Sequence, residues 1–240
     1  MAFPNIKGKH AKDPVFSPKE FLDYLKKIGR YPKFKPPVGV IFCYQLPLIK
    51  NILKKYKAKK VRGFAGEMYL LDKTNGKIAV VGNFGIGAPV AASVLEELIA
   101  FGVKKFISIG IAGTLQKDVK IGSLMICDKA IRDEGTSHHY LKHSKYAYAS
   151  KEMVNKIKKS FEKFNQKYFV RTSWTIDAPY RETVAEVRQY QKEGVIAVEM
   201  EAAALFAVAK YRNVQLGAIF TISDSLAELE WKPKMHSKRI

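Results

Sequence analysis

Lys77-Ile78-Ala79-Val80-Val81-Gly82 runs directly into Asn83-Phe84-Gly85-Ile86-Gly87-Ala88-Pro89, and the join between the two decides the fold. The first run is short and apolar, the composition of a strand buried on both faces. The second holds closely spaced glycines and ends in a proline suited to the first turn of a helix, which Pro89 to Phe101 then supplies. Strand, glycine turn and helix in succession form the repeating unit of a parallel α/β sheet. Outward from this unit, Val38 to Tyr44 and Lys105 to Gly110 read as further buried strands, with Leu46 to Tyr56 helical between. Upstream, Ser17 and Pro18 open a helix to Ile28, and Pro32, Pro36 and Pro37 break the chain after it. Downstream, strands are expected at Ser123 to Ile131, Tyr168 to Ile176, Val195 to Val198 and Gln215 to Ile222. Helices are expected at Lys151 to Phe164, Thr183 to Gln191 and Ala202 to Tyr211. The expectation is one α/β domain over residues 1–240, three-layered, with a mixed, largely parallel central sheet flanked by helices. Residues 1–37 form a basic N-terminal extension and helix.

A chain of 240 residues with 47% hydrophobic content buries one large core. It has no apolar run near the roughly 18 residues of a membrane span, and Met1 to Lys12 lacks the apolar core of a secretory signal, so a cytoplasmic protein is expected. Cys43 and Cys127 sit in apolar runs without metal-ligand spacing and read as buried free thiols; no metal site is expected. Lys and Arg outnumber Asp and Glu by 42 to 22, and residues 1–60 carry 15 basic against 3 acidic residues. Such charge fits either nucleic-acid binding or a solvated, Lys-rich surface that draws in small anions. No nucleic-acid motif accompanies it, so the second reading is preferred.

Four elements carry chemistry. In the turn at Gly82 to Pro89, backbone amides are able to approach an anion at a helix N-terminus, although an empty tight turn has the same sequence. Its spacing matches neither a dinucleotide fingerprint nor a P-loop. Gly110-Ile111-Ala112-Gly113 again follows a strand, which puts two glycine turns where α/β sheets bind ligands. Val198-Glu199-Met200-Glu201 sets two carboxylates at a strand-helix junction, costly in an apolar segment unless they meet donors such as sugar hydroxyls. Glu201 as a simple partner of the helix dipole is the competing reading. Asp224, in Ser223-Asp224 at the end of the last strand, reads as a general acid or a turn residue.

In order and approximate spacing these four elements resemble the purine nucleoside phosphorylase and uridine phosphorylase superfamily, from about Val38 to Asp224. The resemblance implies cleavage of the N-glycosidic bond of a ribonucleoside, by phosphorolysis to free base and ribose 1-phosphate, in nucleotide salvage. It also implies a homo-oligomer, a dimer or a hexamer built from dimers, in which a neighbouring subunit completes each site. Inorganic phosphate is the co-substrate, with no cofactor, no membrane and no specific nucleic acid. Glu201 resembles the ribose-binding glutamate, with Met200 against the sugar and Glu199 in support. Asp224, beside Ser223, resembles the aspartate that protonates purine N7. The Gln-x-Arg pair of uridine phosphorylases is absent from Asp177 to Glu182, which favours a purine. Tyr140, Trp174 and Tyr180 are candidates for stacking on the base, with ordinary packing the better reading for each singly, and Arg181 is a further substrate contact.

The phosphate clamp departs from the family pattern. The first-strand loop, Cys43-Tyr44-Gln45-Leu46-Pro47, lacks the usual arginine, the strand arginine is replaced by Ser108, and the turn hydroxyl by Ile111. Arg62 matches the arginine donated across the subunit interface. Phosphate is expected at the backbone of Gly85 and Gly87, at Ser108 and Arg62, and at Arg132, Thr136 and His138 of the polar run Arg132 to Tyr140. A hydrolytic nucleosidase or a uridine phosphorylase is the alternative, followed by a chain that binds nucleosides or nucleic acid without turnover.

Overall fold

The structure, a computed structural model, describes residues 3–235. After a single turn at Lys9–Ala11, α1 (Pro18–Lys27) opens as the sequence predicts. Ser17 Oγ accepts from Glu20 N at 3.4 Å, and the Glu20 carboxylate accepts from Ser17 N at 2.7 Å. There follow β1 (Gly39–Cys43), α2 (Leu46–Tyr56), β2 (Ala58–Val61), β3 (Glu67–Leu71), β4 (Ile78–Gly82), α3 (Ala88–Phe101), β5 (Lys105–Thr114) and β6 (Leu124–Asp133). The chain continues through β7 (Tyr146–Tyr148), α4 (Lys151–Lys163), β8 (Phe169–Ile176), α5 (Val184–Lys192), β9 (Ala197–Glu199), α6 (Ala202–Tyr211), β10 (Gln215–Ser225) and β11 (Lys232–Pro233). No helix among the described residues is long and apolar enough to cross a membrane.

All the strands join one mixed sheet, in the order β11-β10-β6-β8-β9-β5-β1-β4-β3-β2, with β7 beside β6. The β4-β1-β5-β10 pairings at its centre are parallel, as the buried apolar runs require. Because β10 pairs with both β5 and β6, the strands β5, β10, β6, β8 and β9 close into a ring. The sequence expectation did not include this closure. Helices α3 and α6 pack against each other, and α6 is buried from Ala202 to Ala209. Its alanines permit close approach to the sheet, where Phe42, Phe106, Phe206 and Phe220 fill the core. Leu22 anchors α1 to the same core, and Cys43 and Cys127 are buried free thiols.

One reading is corrected here. Gly110 to Gly113 is not a turn, since β5 continues through it to Thr114. The glycine at 113 serves close approach instead: a Cβ there would lie 2.8 Å from Leu226 Cδ1, 2.9 Å from Asp224 Oδ2 and 3.3 Å from Val198 Cγ1.

Candidate active site

The bend between β9 and α6 is built by Glu199. Its Oε1 accepts from Ser173 Oγ at 3.0 Å and from Thr175 Oγ1, and its Oε2 accepts from the backbone N–H groups of Glu201 at 2.8 Å and Ala202 at 2.7 Å. Four donors meet the roughly four acceptor sites of a carboxylate, so Glu199 anchors the helix N-terminus and has nothing left for a ligand. Burial raises its pKa. Glu201 is different. It meets only the N–H of Gly87, 2.6 Å from Oε1, and the backbone of Met200, which leaves acceptor capacity for two hydroxyls. Burial, and then the charge of Glu199, pushes the Glu201 pKa up to about 7. Met200 is half-buried between the two carboxylates.

Asp224 approaches from the opposite side of β5. Gly113 is paired with Asp224 of β10 and with Val198 of β9, so the Glu-Met-Glu and Ser-Asp motifs flank one glycine. Asp224 is buried; its Oδ1 accepts from Ser223 Oγ at 2.6 Å and its Oδ2 from Trp231 Nε1 at 3.0 Å. Glu182, in the loop before α5, is held up to about 7 by burial and then by the charges of Asp224 and Glu186. Two buried carboxylates on either side of β5 suit a reaction that develops opposite charges at its two ends.

The third wall consists of hydroxyls. Tyr44, just beyond β1, lies edge-on to Phe84 at 5.2 Å, and its hydroxyl accepts from Ser108 Oγ at 3.4 Å. Burial, and then the negative charge of Glu201, raises its pKa, which places the phenol within electrostatic reach of that carboxylate. Sequence reasoning noted the loop only for its missing arginine. The available signal was a hydroxyl-bearing aromatic at the carboxyl end of a parallel strand.

Several residues expected at the phosphate lie elsewhere or are engaged otherwise. The Gly87 N–H is donated to Glu201, so the glycine turn, with Gly85 at φ +95° and Gly87 at φ +100°, orients a protein carboxylate. Arg132 is buried. Its Nε donates to Ser137 Oγ at 2.8 Å, and its terminal nitrogens to Lys142 O at 2.7 Å, Ser144 Oγ at 2.9 Å and Leu141 O at 3.2 Å. A desolvated guanidinium must be satisfied, and its own loop supplies the acceptors. His138 lies within this knot, 3.2 Å from Arg132 O and stacked on His143. Thr136 lines a separate cavity of about 740 Å³ between the N-terminal segment and α3, which includes none of Glu199, Glu201 and Asp224. Ser108 remains in place, and Arg62 is exposed in the loop after β2.

The base-stacking candidates also separate from the carboxylates. Trp174 is fully buried, gives its N–H to Asp133 Oδ2 at 2.8 Å and packs on Tyr190, which makes it a core residue. Tyr140 lies edge-on to Tyr211 beside the 740 Å³ cavity. Tyr180 is fully exposed, and Arg181 opens onto a depression shared with Asp133, Asp177 and Glu186.

The family model described as "Phosphorylase superfamily" matches residues 42–238. A guanosine phosphorylase of Halorubrum lacusprofundi is 32% identical over 142 residues, 59% of this chain and 59% of that protein, so the match spans under two thirds of that relative. A DeoD-type purine nucleoside phosphorylase of Caldanaerobacter subterraneus subsp. tengcongensis is 32% identical over 184 residues, 75% of this chain and 77% of that one. Among solved structures, a uridine phosphorylase from Vibrio fischeri aligns with TM-score 0.72 and 26% identity over 82% of both chains. An AMP nucleosidase from Bacteroides thetaiotaomicron aligns with TM-score 0.75 over 89% of this chain and 92% of that one; at 22% identity this likeness concerns the fold alone.

Proposed function

The chain belongs to the phosphorylase superfamily, and from that premise we propose that it cleaves purine ribonucleosides by phosphorolysis, giving free base and ribose 1-phosphate. The observation that supports this reading is that Gly113 of β5 is paired on one side with Val198, which leads into Glu199-Met200-Glu201, and on the other with Asp224. Breaking the bond from C1′ to N9 leaves positive charge on the ribose and sends an electron pair into the base. Glu201 accepts the ribose hydroxyls and stabilises the first charge, and its pKa near 7 falls as those donors arrive. Asp224 gives a proton to N7 and relieves the second. An oxygen of phosphate then bonds to C1′. The relatives' names, guanosine phosphorylase and purine nucleoside phosphorylase, support the purine assignment.

Phosphate in this reading meets the hydroxyls of Ser108 and Tyr44 and the open Gly85 turn, and Arg62 reaches it from a neighbouring subunit of a homo-oligomer. Neutral hydroxyls hold an anion less tightly than arginines, and the net charge of +20 compensates by concentrating phosphate near the surface. Hydrolysis is the second reading, favoured by Ser108 and Ile111 standing where arginine and a hydroxyl are usual. Inosine, guanosine, adenosine and uridine incubated with and without phosphate separate the two. Ribose 1-phosphate from the purine nucleosides, and no sugar without phosphate, is the expected result. Free ribose at an equal rate in phosphate-free buffer establishes a hydrolase, and uridine as the best substrate removes the role of Asp224.

A further inference from the structure

The general acid carries a partner that lies beyond the last motif. After β10 the chain turns at Leu226 to Leu229, with Leu229 at φ +62°, and returns as β11, pairing Asp224 with Pro233 and Ser225 with Lys232. Lys234 N donates to Ser223 O at 3.1 Å and closes the return. At its apex Trp231 is 62% exposed, yet its indole N–H lies 3.0 Å from the buried Asp224 Oδ2. Burial of the ring therefore does not explain the position; the hydrogen bond does. An indole N–H only donates, so it neither takes nor relays the proton. On the other side of the same oxygen, the bare Cα of Gly113 keeps open the space that a Cβ would occupy 2.9 Å away.

We infer that Trp231 is a positioning residue for the general acid, fixing Asp224 Oδ2 and stabilising the carboxylate that remains once the proton has passed to the base. The inference rests on the reading of Asp224 as the proton donor. In the step, the O–H bond of the Asp224 carboxyl breaks, an N7–H bond forms, and the electron pair of the C1′ to N9 bond enters the purine. Asp224 is left ionised between two donors, Ser223 Oγ and Trp231 Nε1. Both favour the ionised product over the protonated reactant, so both strengthen as the proton leaves. The titratable group facing Asp224 from the neighbouring loop is Glu182, whose carboxyl pKa of about 7 is in part the effect of the Asp224 charge. Lys232, on the return strand, is engaged with Glu228.

Trp231→Phe keeps an aromatic ring and removes the N–H, and two substrates test it. On inosine, kcat should fall about tenfold or more, the effect of losing one charge-assisted hydrogen bond that strengthens in the transition state. On an N7-methylated purine nucleoside, whose cationic base departs neutral without a proton, it should change less than about twofold on the same principle. Equal losses on both substrates overturn the inference. Asp224→Asn run in parallel separates the two levels. If it discriminates between the substrates and Trp231→Phe does not, the Trp231 inference falls alone; if Asp224→Asn fails to discriminate, the proton-donor reading falls and this inference with it.

Discussion

Two sides of the candidate site are built on different terms. On the side formed by β9, the end of β5 and β10, buried carboxylates are held by a dense set of donors: Ser173, Thr175 and two backbone amides for Glu199, and Ser223 and Trp231 for Asp224. On the side formed by β1, the middle of β5 and the glycine turn, neutral hydroxyls stand where the family resemblance leads one to expect guanidinium groups, and the buried guanidinium of Arg132, on β6, serves its own loop. The first side is specified by residues that have almost no freedom; the second departs from the pattern that the family resemblance implies. The contrast suggests that the ribose and the leaving group place stricter demands on geometry than the nucleophile does, because charge develops on them.

The largest test of this contrast is Asp224→Asn, which should lower kcat on a purine nucleoside by roughly 100-fold or more while substrate binding persists, the cost of a lost positioned proton donor. Steady-state kinetics with a binding titration check it, and an unchanged kcat would remove Asp224 from the chemistry. Next, Glu201→Ala should reduce kcat/KM about 10- to 100-fold, the equivalent of one charge-assisted bond of about 1.5 to 3 kcal/mol. The loss should be smaller for a nucleoside that lacks the 2′-hydroxyl, and an equal loss on both would argue against contact with the ribose. On the opposite side, Arg62→Ala should raise the KM for phosphate about fivefold and leave the KM for nucleoside nearly unchanged, as expected for one exposed arginine acting on an anion. Arg132→Met should do the reverse of what its charge suggests: thermal stability falls, because four acceptors lose their donor, while the KM for phosphate stays put. An increase in that KM for Arg132→Met larger than for Arg62→Ala would return Arg132 to the site.

The smallest effect concerns pH and stability. Glu201 titrates near 7 in the folded chain against a usual 4.5, so the folded state binds the extra proton. The contribution is fully present below about 4.5 and is lost as pH rises through 7, so the unliganded protein should become less stable between pH 5 and pH 8. Glu201→Gln should flatten that slope, as read from Tm measured across this pH range. An unchanged slope would mean that Glu201 is ionised in the folded protein.

How far the sequence could be read follows the same division. Strands buried on both faces, such as β1, β4 and β10, announce themselves by unbroken apolar runs, and α3 by its proline and glycine turn. Strand β2 did not, because Lys59 and Lys60 give it the composition of a surface loop, and the apolar run of β3 from Met68 to Leu71 was not among the strands expected. Gly110 to Gly113 read as a turn because glycine serves turns and close approaches alike, and only the neighbours Asp224 and Val198 distinguish the two. Glu201 and Asp224 stood out as carboxylates in apolar surroundings. Arg132 stood out equally, but polarity in a segment does not tell whether a ligand or the segment itself will satisfy it. Tyr44 carried only its position just past the carboxyl end of a parallel strand, and Trp231 carried no local signal, since it acquires its partner through the fold.

The ring closed by β10 against β5 also decides where this protein is vulnerable to its own copies. A strand whose hydrogen-bonding groups face solvent is a template for another chain, and closure removes most such margins from the sheet. Apart from the two-residue β11, the terminal strand in the order is β2. Lys59 and Lys60 are both exposed, on opposite faces of this strand; Lys60 is paired with Glu67, and Lys59 adds positive charge beside the open edge, so two such edges meeting bring like charges together. The charge of Lys59 disfavours pairing of this open edge with that of a second copy, and replacing Lys59 with threonine should increase edge-to-edge association, measured by light scattering.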